Sequence, residues 1–381
     1  MAIAPFTVPG VYRQDVFPRP TPALPTGVPV FIGFGTNGDP EAADLLTLQK
    51  LTLWPQFAEL VSRLHPSEFL SRAVHGFFAN GGDFCYVVMV PLSSTKDRDT
   101  ALQEGLEAAA GITDIDLVCI PDLMQGSPAP ADLQRWQQRV LDHCDRTNDR
   151  FAILDAPLTL TPGETSLRGT NGALYGPWVM PEQGNQWVPP CGHVAGSMAR
   201  CDRTYGVHHA PANLVLEDVL DLSQRLTDAD HQRLNQSPNP TRINYLRALP
   251  GRGIRAWGAY TLSSDPNWHY VNVRRLFITL GRWADLNLTG LAFEPNDFSL
   301  WVRMERELTA YLQSLASQGA LQGSTAEEAF FVKCDGETNS PEVRDRGQVV
   351  ATVGLAPTLP NEFIVVRLIH GDTGTSLVSA A

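Results

Sequence analysis

Residues 251–297 read GRGIRAWGAYTLSSDPNWHYVNVRRLFITLGRWADLNLTGLAFEPND, and this stretch indicates more about the fold than any other part of the chain. The apolar run Ile254–Tyr260, bounded by glycines, predicts a short buried strand. Residues 261–267 have the composition of a turn, which ends that strand. Leu291–Phe293 predicts a second short strand, and Asp297 is placed to cap a following helix.

Between the two strands the stretch predicts a helix. Apolar residues recur there at three- and four-residue steps, which gives the helix one apolar face. These residues are Val273, Leu276, Phe277, Leu280 and Trp283. Arg274, Arg275 and Arg282 lie off that face. The unit is therefore strand, turn, helix, strand, helix, and it contains no recognisable chemical motif.

The chain before this stretch alternates between strand and helix patterns. Strands are predicted at Val28–Phe34, Phe84–Val90, Asp116–Ile120 and Phe151–Leu154. Helices are predicted at Trp54–Leu64, Ser67–Ala79, Thr100–Ala110, Ala131–Cys144 and His193–Arg203. Such alternation predicts an α/β fold with a largely parallel sheet covered on both faces. Residues 157–190 are rich in Gly, Pro, Thr and Asn and predict a surface excursion or a short hairpin.

The last third of the chain predicts a smaller α+β domain that begins at Thr241. It contains a long helix, Asp297–Ser317, followed by strands at Phe330–Cys334, Gln348–Leu355 and Glu362–Ile369. The predicted organisation is a linking arm at 1–27, an α/β domain at 28–240, the smaller domain at 241–370 and a loose tail at 371–381.

The first residues do not have the composition of a packed domain. Seven prolines between residues 5 and 29 stiffen the segment and bias it to extended conformations. Val11, Tyr12 and Val16 fit one strand that can pair. The arm is either a disordered terminus or a strand donated to a neighbouring subunit by β-augmentation.

Composition sets limits on the class of protein. Of 381 residues, 43% are hydrophobic and 18% charged, which suits packed domains. The formal net charge of −12 argues against non-specific nucleic-acid binding. Six scattered cysteines without a CxxC pair favour free thiols in a reducing compartment. Neither a signal peptide nor an apolar run long enough to span a membrane is visible, so assembly in the cytoplasm without membrane insertion is expected.

One glycine pattern raises the alternative of an enzyme. Gly33–Gly38 matches G-x-G-x-x-G after a strand, which would make the chain a cytosolic nucleotide-dependent oxidoreductase. That site needs a helix to begin at the third glycine, where its amides meet a pyrophosphate. Here Asp39 and Glu41 follow instead, so a glycine-rich turn is the preferred interpretation and no cofactor is predicted.

Two further patterns suggest catalysis or metal binding. Ser197 lies in a segment similar to the serine segment of subtilisin-type peptidases, but a serine nucleophile needs a base and an orienting carboxylate. The one Asp-Thr-Gly, at Asp372, follows the serine instead of preceding it. Cys191, His193 and Cys201 have irregular spacing for a metal site. Neither a catalytic nor a metal site is therefore predicted.

Several longer motifs, in order, resemble contractile tail sheath proteins of phage tails and related injection systems. They are Pro9-Gly10-Val11-Tyr12, Phe77-Phe78-Ala79-Asn80-Gly81-Gly82, Arg255-Ala256-Trp257-Gly258-Ala259, Thr261-Leu262-Ser263, Tyr270-Val271-Asn272-Val273-Arg274-Arg275-Leu276, Phe293-Glu294-Pro295-Asn296-Asp297, Gly319-Ala320-Leu321-Gln322-Gly323 and Ala329-Phe330-Phe331-Val332-Lys333-Cys334-Asp335. The resemblance covers nearly the whole chain.

This resemblance implies a structural subunit and not an enzyme. It implies a subtilisin-like doubly wound first domain, hexameric rings stacked helically around an inner tube, and contraction that drives the tube through a target envelope. The implied partners are other copies of the chain, the tube protein, baseplate and cap proteins, and a sheath paralogue where one exists. The particle would be a phage tail or a released tail-like device. Strand exchange between subunits is expected at Val11, Tyr12, Val16, Phe363, Val365 and Arg367.

Overall fold

The computed structural model of the chain describes residues 24–35, 48–64, 66–91, 97–160, 166–227, 229–230, 242–360, 366–371 and 374–379. The strands are β1 Pro29–Gly35, β2 Gln49–Leu51, β3 Cys85–Pro91, β4 Leu117–Cys119, β5 Phe151–Asp155, β6 Gly172–Gly176, β7 Val179–Met180, β8 Asp221–Leu222, β9 Ile243–Leu249, β10 Gly253–Ala256, β11 Phe330–Lys333, β12 Thr352–Leu355, β13 Val366–Gly371 and β14 Gly374–Ser379. The helices are α1 Trp54–Leu64, α2 Glu68–Ala79, α3 Arg98–Ala110, α4 Pro130–Thr147, α5 Cys191–Tyr205, α6 Val271–Leu288, α7 Phe298–Ser317, α8 Ala326–Ala329 and α9 Pro341–Asp345.

An eight-stranded sheet in the order β10-β9-β6-β5-β4-β1-β3-β2 organises most of these elements. Its six inner strands, from β9 to β3, are parallel, whereas the border strands β10 and β2 run antiparallel to their neighbours. β3 and β4 flank β1 on opposite sides, so the chain winds outward from β1 in both directions. Residues 213–216 run along the outer border of β10, where the Leu216 amide donates to the Ile254 carbonyl at 2.8 Å.

Helices cover both faces of this sheet, and β1 shows how its residues divide between them. Phe31 packs in the layer that contains α1, α2, α5 and α6, whereas Val30 and Ile32 pack with α3 and α4. All three side chains are fully buried. Because both faces are buried, the inner strands have continuous apolar sequences and lack an alternating pattern.

Two glycines allow α5 to lie directly against α2. A Cβ atom at Gly192 would be 2.0 Å from the Ala73 carbonyl oxygen, and one at Gly196 would be 2.3 Å from the Phe77 carbonyl oxygen. Any side chain at these positions would separate the two helices. The pair therefore forms a closely packed layer under the centre of the sheet.

The two faces of the sheet each carry an apolar core, and a third core begins where α6 meets α7. Leu276 on α6 packs with Leu312 on α7, and the rings of Trp283 and Tyr311 stack at 4.2 Å between centroids. Asp297 caps α7 by accepting two backbone N–H groups of its first turn. The third core thus connects the helix that leaves the large sheet to the C-terminal strands.

The C-terminal strands form two separate antiparallel pairs. In β11–β12, Phe330 lies opposite Leu355, and both contact the third core. In β13–β14, Ile369 lies opposite Ser376. Within the described part of the chain, no further strand extends either pair.

Much of the sequence-based prediction is confirmed. The strands and helices expected between residues 28 and 154 are present, and the sheet is parallel-rich and helix-covered, as an α/β fold requires. The helix expected around Val273–Trp283 spans Val271–Leu288, and Asp297 caps the next helix. A short strand, β2, is an addition that the sequence patterns did not indicate.

The second predicted strand of the opening stretch is wrong. Leu291 ends a 3-10 turn that begins at Thr289, and Phe293 is fully exposed with a φ of 68°. The run Ile254–Tyr260 is a strand only as far as Ala256. Three apolar residues do not make a strand where no neighbouring strand is available to pair with them.

The surface excursion predicted for residues 157–190 is also wrong, because the segment contains β6. The alternative of a short hairpin is present in part, since Val179 and Val188 exchange two backbone hydrogen bonds as an antiparallel bridge. Strand β6 lies between β5 and β9, and Tyr175 is fully buried. Its glycines serve close packing: a Cβ atom at Gly172 would be 2.2 Å from Leu141 Cδ2. Trp178 is nearly buried as well, and its indole N–H donates to the Ala156 carbonyl at 2.7 Å.

The local structure at two predicted boundaries, residues 241 and 371, differs from the expectation. β9 and β10 continue the large sheet past residue 241, so the sheet does not end at the predicted domain boundary, which itself stays a prediction. Residues 374–379 form β14, paired with β13, where the sequence suggests a loose tail at 371–381.

Candidate functional site at the amino ends of the strands

The candidate nucleophile Ser197 is buried within α5. Its hydroxyl donates to the Val194 carbonyl at 2.9 Å, one turn earlier in the same helix. Among the described residues, no histidine nitrogen bonds to this hydroxyl, and Asp372 lies outside them. A hydroxyl that is buried and satisfied by its own helix has the geometry of a packing residue.

The glycine pattern of the alternative enzyme lies partly in β1. Gly33 and Gly35 are strand residues, and a Cβ atom at Gly33 would be 2.3 Å from Leu70 Cδ2 on α2. Gly33 therefore lets α2 approach the sheet. Residues 36–47, including Gly38, Asp39 and Glu41, lie outside the described residues.

The three residues that were considered and rejected as metal ligands lie in separate environments. Cys191, His193 and Cys201 are all buried on α5, and no group of three His, Cys, Asp or Glu side chains in the described ranges has the geometry of a metal site. His193 instead lies 3.7 Å from the carboxylate of Asp218, which also contacts His75 Nδ1 at 2.9 Å. Burial alone would raise the pKa of Asp218, but its interactions with the imidazoles of His193 and His75 outweigh the effect of burial and hold that pKa well below its usual range.

Two buried carboxylates lie at the carboxyl ends of the strands, where α/β proteins usually bind ligands. Asp155 accepts the Cys191 amide at 2.8 Å, and Asp122 accepts the Phe34 amide at 2.7 Å and the Ser67 hydroxyl. Burial raises the pKa of Asp155 to about 7 and that of Asp122 to about 6. Both side chains connect the end of a strand to the start of another element, which is a structural role.

The most strongly charged buried site lies at the opposite edge, where α6 crosses the amino ends of the parallel strands. Arg275 contacts Asp116, just before β4, at 2.8 Å and contacts Asp202 of α5 at 2.6 Å. All three side chains are at most 3% exposed. Burial alone would lower the pKa of Arg275, but the two carboxylates outweigh it and keep the guanidinium protonated.

Arg274 joins α6 to the next two strands. Its guanidinium donates to the side-chain oxygens of Asn171, just before β6, and Asn148, at the end of α4. It also lies over the Trp268 ring, 4.7 Å from the centroid. Burial lowers the pKa of Arg274, which is consistent with a cation held by neutral oxygens.

Arg282 completes the site two turns further along α6. Its Nη1 donates to the Pro25 carbonyl at 2.9 Å, and its Nη2 donates to the carbonyls of Thr113 and Asp114 at 3.0 Å each. The residue is 6% exposed. The three arginines of α6 therefore join the segments that enter β1, β4, β5 and β6. We call this set, Arg274, Arg275 and Arg282 with their partners, the α6 junction.

Sequence reasoning missed the α6 junction. The three arginines lie off the apolar face as predicted, yet all of them are buried. One signal was present: the only acidic residue in α6 is Asp285, so Arg274 and Arg275 have no acidic residue one turn away on their own helix. Buried arginines need partners, and here those partners are 73 to 257 residues distant in sequence.

Comparison with known proteins places this architecture in a family. Residues 100–262 match the family model of the phage tail sheath protein central domain, and residues 263–369 match that of the phage tail sheath C-terminal domain. The chain belongs to the phage tail sheath family. The α6 junction therefore joins the two regions that define the family, because Asp116 and Asp202 lie in the first and Arg275 in the second.

Relatives of this sheath chain differ in length. The tail sheath protein of Enterobacteria phage T4 is 29% identical over 198 residues, which is 50% of this chain and 28% of that protein. The chain spans less than half the length of the curated tail sheath proteins that it matches.

Two solved structures match over almost the whole chain. The sheath complex of the extracellular contractile injection system PVC, in its contracted state, is 28% identical with a TM-score of 0.76, covering 97% of this chain and 99% of that one. A chain in the six-fold symmetrised baseplate of the anti-feeding prophage is 29% identical with a TM-score of 0.75, covering 96% and 99%.

The residues expected to exchange between sheath subunits lie at the ends of the chain. Val11, Tyr12, Val16, Phe363 and Val365 lie outside the described residues. Arg367 lies in β13, in register with Val378 of β14. Strand exchange at these positions therefore stays a prediction.

No helix in the described ranges is long and apolar enough to cross a membrane.

Proposed function

We propose that the chain is a structural subunit of a contractile sheath. Copies would assemble helically, as stacked hexameric rings around an inner tube, and contraction would drive the tube through a target envelope. The observation that carries this proposal is the similarity over almost the whole chain to a sheath solved in its contracted state. The match to a chain of a six-fold symmetrised baseplate supports a six-fold assembly that ends on a baseplate.

Exchange of terminal strands is the proposed means of assembly. The arm at residues 1–27 would donate a strand containing Val11, Tyr12 and Val16, and the C-terminal strand would contribute Phe363, Val365 and Arg367. β11 and β12 each have a border that no other described strand occupies, so this small sheet is a suitable acceptor. Each backbone hydrogen bond contributes only about 0.5–1.5 kcal/mol, so several must form together. A head-to-tail exchange does not close on itself and extends into a filament.

The proposed domains follow the family resemblance. A subtilisin-like domain would span residues 28–240, the C-terminal sheath domain 241–370 and a short tail 371–381. The wound, parallel-rich sheet supports the first assignment, and the third core supports the second. Partners beyond copies of the chain would be the tube, baseplate and cap proteins, with a sheath paralogue in some particles.

The same site geometry supports a role without catalysis. Ser197 is bonded within its own helix, and Asp122 and Asp155 are engaged by backbone amides. The particle would be a phage tail or a released tail-like device assembled in the cytoplasm. The energy for contraction would come from contacts between subunits in the contracted state, reached from a kinetically trapped extended state.

Electron microscopy of the purified chain tests the proposal. We expect tubes or rings from the full-length chain and a folded, soluble monomer from a chain that lacks residues 1–20. Tubes formed by the shortened chain would exclude exchange of the N-terminal arm. A full-length chain that stays monomeric and binds a nicotinamide nucleotide would instead favour the oxidoreductase alternative.

A further inference from the structure

The segment Pro25–Val28 connects the N-terminal arm to β1, and it is held at both of its ends by the α6 junction. Arg282 binds the Pro25 carbonyl at 2.9 Å. At the other end, Asp116 accepts the amides of Gly27 and Val28 at 3.0 and 2.6 Å, while Arg275 binds the same carboxylate at 2.8 Å. Every contact is made by the last residues of the arm, 25–27, and by Val28, all of which are described.

The chemistry at Arg282 favours a positioning role over a stabilising one. A buried guanidinium is costly to desolvate, and an apolar side chain of similar volume often packs at least as well. Within the described part of the chain, Arg282 forms no ion pair with a carboxylate and donates to three carbonyl oxygens from two different loops. Charge-assisted hydrogen bonds of this kind have a fixed fork geometry, so they define where the loops lie relative to one another.

The segment also lies against α5 with no space for a side chain. Gly27 has a φ of 70°, and a Cβ atom built on it would be 2.6 Å from the Ala199 Cα atom. The backbone therefore contacts α5 directly. With Arg275 and Arg282 separated by two turns of α6, about 10 Å along its axis, the segment is fixed at two points and cannot rotate as a whole.

We propose that the α6 junction anchors the N-terminal arm and sets the direction in which it leaves the body. The proposal rests on the proposed exchange of the arm between subunits. A force on the arm would then be transmitted at Pro25 to both α6 and the central sheet. The arm would rotate about a point that precedes Pro25. Arg282 is the positioning residue, because it joins the arm's root to α6 without an intervening carboxylate.

Replacement of Arg282 by methionine tests the anchor. We expect Arg282→Met to give a folded monomer in which the Gly27 and Val28 amides exchange with solvent faster, and tube formation that falls about tenfold because the arm is less pre-organised. Arg303→Met is the matched control: Arg303 is half-exposed on α7, and its ion pair in the described part of the chain is with Glu294. That variant should assemble like the parent chain.

A spin-label distance measures direction independently of assembly. With nitroxide labels at Leu24→Cys and Glu107→Cys, the parent chain should give a narrow distance distribution and Arg282→Met a broad one. If Arg282→Met does not fold, Arg282→Lys, which retains a donor, should fold and give an intermediate width. An unchanged distribution together with normal tube formation would overturn the anchor. Normal tubes from the chain lacking residues 1–20 would instead overturn the exchange proposal, so the two failures are distinguishable.

Discussion

Arg275 on α6 and Asp202 on α5 form an ion pair of 2.6 Å, and neither side chain is more than 3% exposed. The two helices lie in the regions that match separate family models, so this pair couples the regions directly. Asp116 shares the same guanidinium. A buried cation with two carboxylates is strongly sensitive to the loss of any one member, because the others remain buried without compensation.

Replacement of Arg275 by glutamine should therefore be severely destabilising. We expect the free energy of unfolding to fall by about 3–5 kcal/mol, since two carboxylates are left buried and unpaired. Denaturant titration of the monomer measures the change. Arg303→Gln, which removes a half-exposed pair with Glu294, should cost less than about 1 kcal/mol. Equal losses of unfolding free energy in the two variants would show that burial does not make the Arg275 ion pairs more important than the exposed Arg303 pair.

The contact between α2 and α5 predicts opposite effects for two glycine substitutions. Gly192→Ala places a Cβ atom 2.0 Å from the Ala73 carbonyl oxygen, so the helices must separate, at a cost of about 1–3 kcal/mol or more. Gly281→Ala on α6 meets no atom within 4 Å and should stabilise the chain by about 0.5–1 kcal/mol. Thermal unfolding of both variants checks the sign. Stabilisation by both would show that the backbones of α2 and α5 are not in contact.

His143 on α4 predicts a loss of stability in weak acid. Burial, reinforced by Arg150 and Arg146, lowers its pKa from 6.5 to about 4. The unfolded chain then binds the proton more readily than the folded chain between those values, so stability is full above pH 6.5 and declines as the pH falls toward 4. After allowance for solvent screening, the effect is on the order of 1–2 kcal/mol.

The variant His143→Gln isolates this effect. Asp122 and Asp155 titrate in the same range with the opposite sign, because their raised pKa values favour the folded state at lower pH. The informative quantity is therefore the difference in unfolding free energy between variant and parent at each pH. That difference should shift in favour of the variant as the pH falls from 6.5 to 4.5. A difference that is constant with pH would show that His143 is not protonated on unfolding.

The six cysteines should not react with thiol reagents in the native chain. All six are buried, and burial raises the pKa of Cys201 to about 12 and shifts those of Cys85 and Cys144 further upward. Reaction with a chromogenic disulfide should release no thiolate before unfolding and six equivalents after it. Ser317→Cys, on an exposed turn of α7, should label promptly and serves as the positive control. Prompt reaction of a native cysteine would contradict its burial.

Local patterns were sufficient for the elements that depend on local interactions. The apolar stripe of α6, the cap at Asp297 and the alternation between residues 28 and 154 each involve neighbours within a few positions, so the sequence predicted them correctly. The buried state of Arg275 depends on Asp116, which is 159 residues away, and no periodicity reveals such a partner. The family resemblance, based on motifs in order, was more informative about function than any single pattern.

The strand β6 was missed for a different physical reason. Gly172–Gly176 has five residues, two of them glycine, and lies within a segment whose composition is typical of loops. Its strand conformation is imposed by β5 and β9, which provide hydrogen bonds on both sides. Strand formation in the middle of a sheet is decided by such neighbours more than by intrinsic preference, and composition carries no record of them.

The bridge of residues 213–216 along β10 also affects which contacts between copies are possible. An exposed strand border invites pairing with any other extended chain, which is a common route to aggregation. In the eight-stranded sheet, Val215 and Leu216 occupy the outer border of β10. The strand at the other border, β2, has only three residues. A molecule that joins its copies through extended segments must restrict where such segments attach. Under the proposed strand exchange, the occupied border of the main sheet would reduce the number of wrongly joined copies during growth of the polymer.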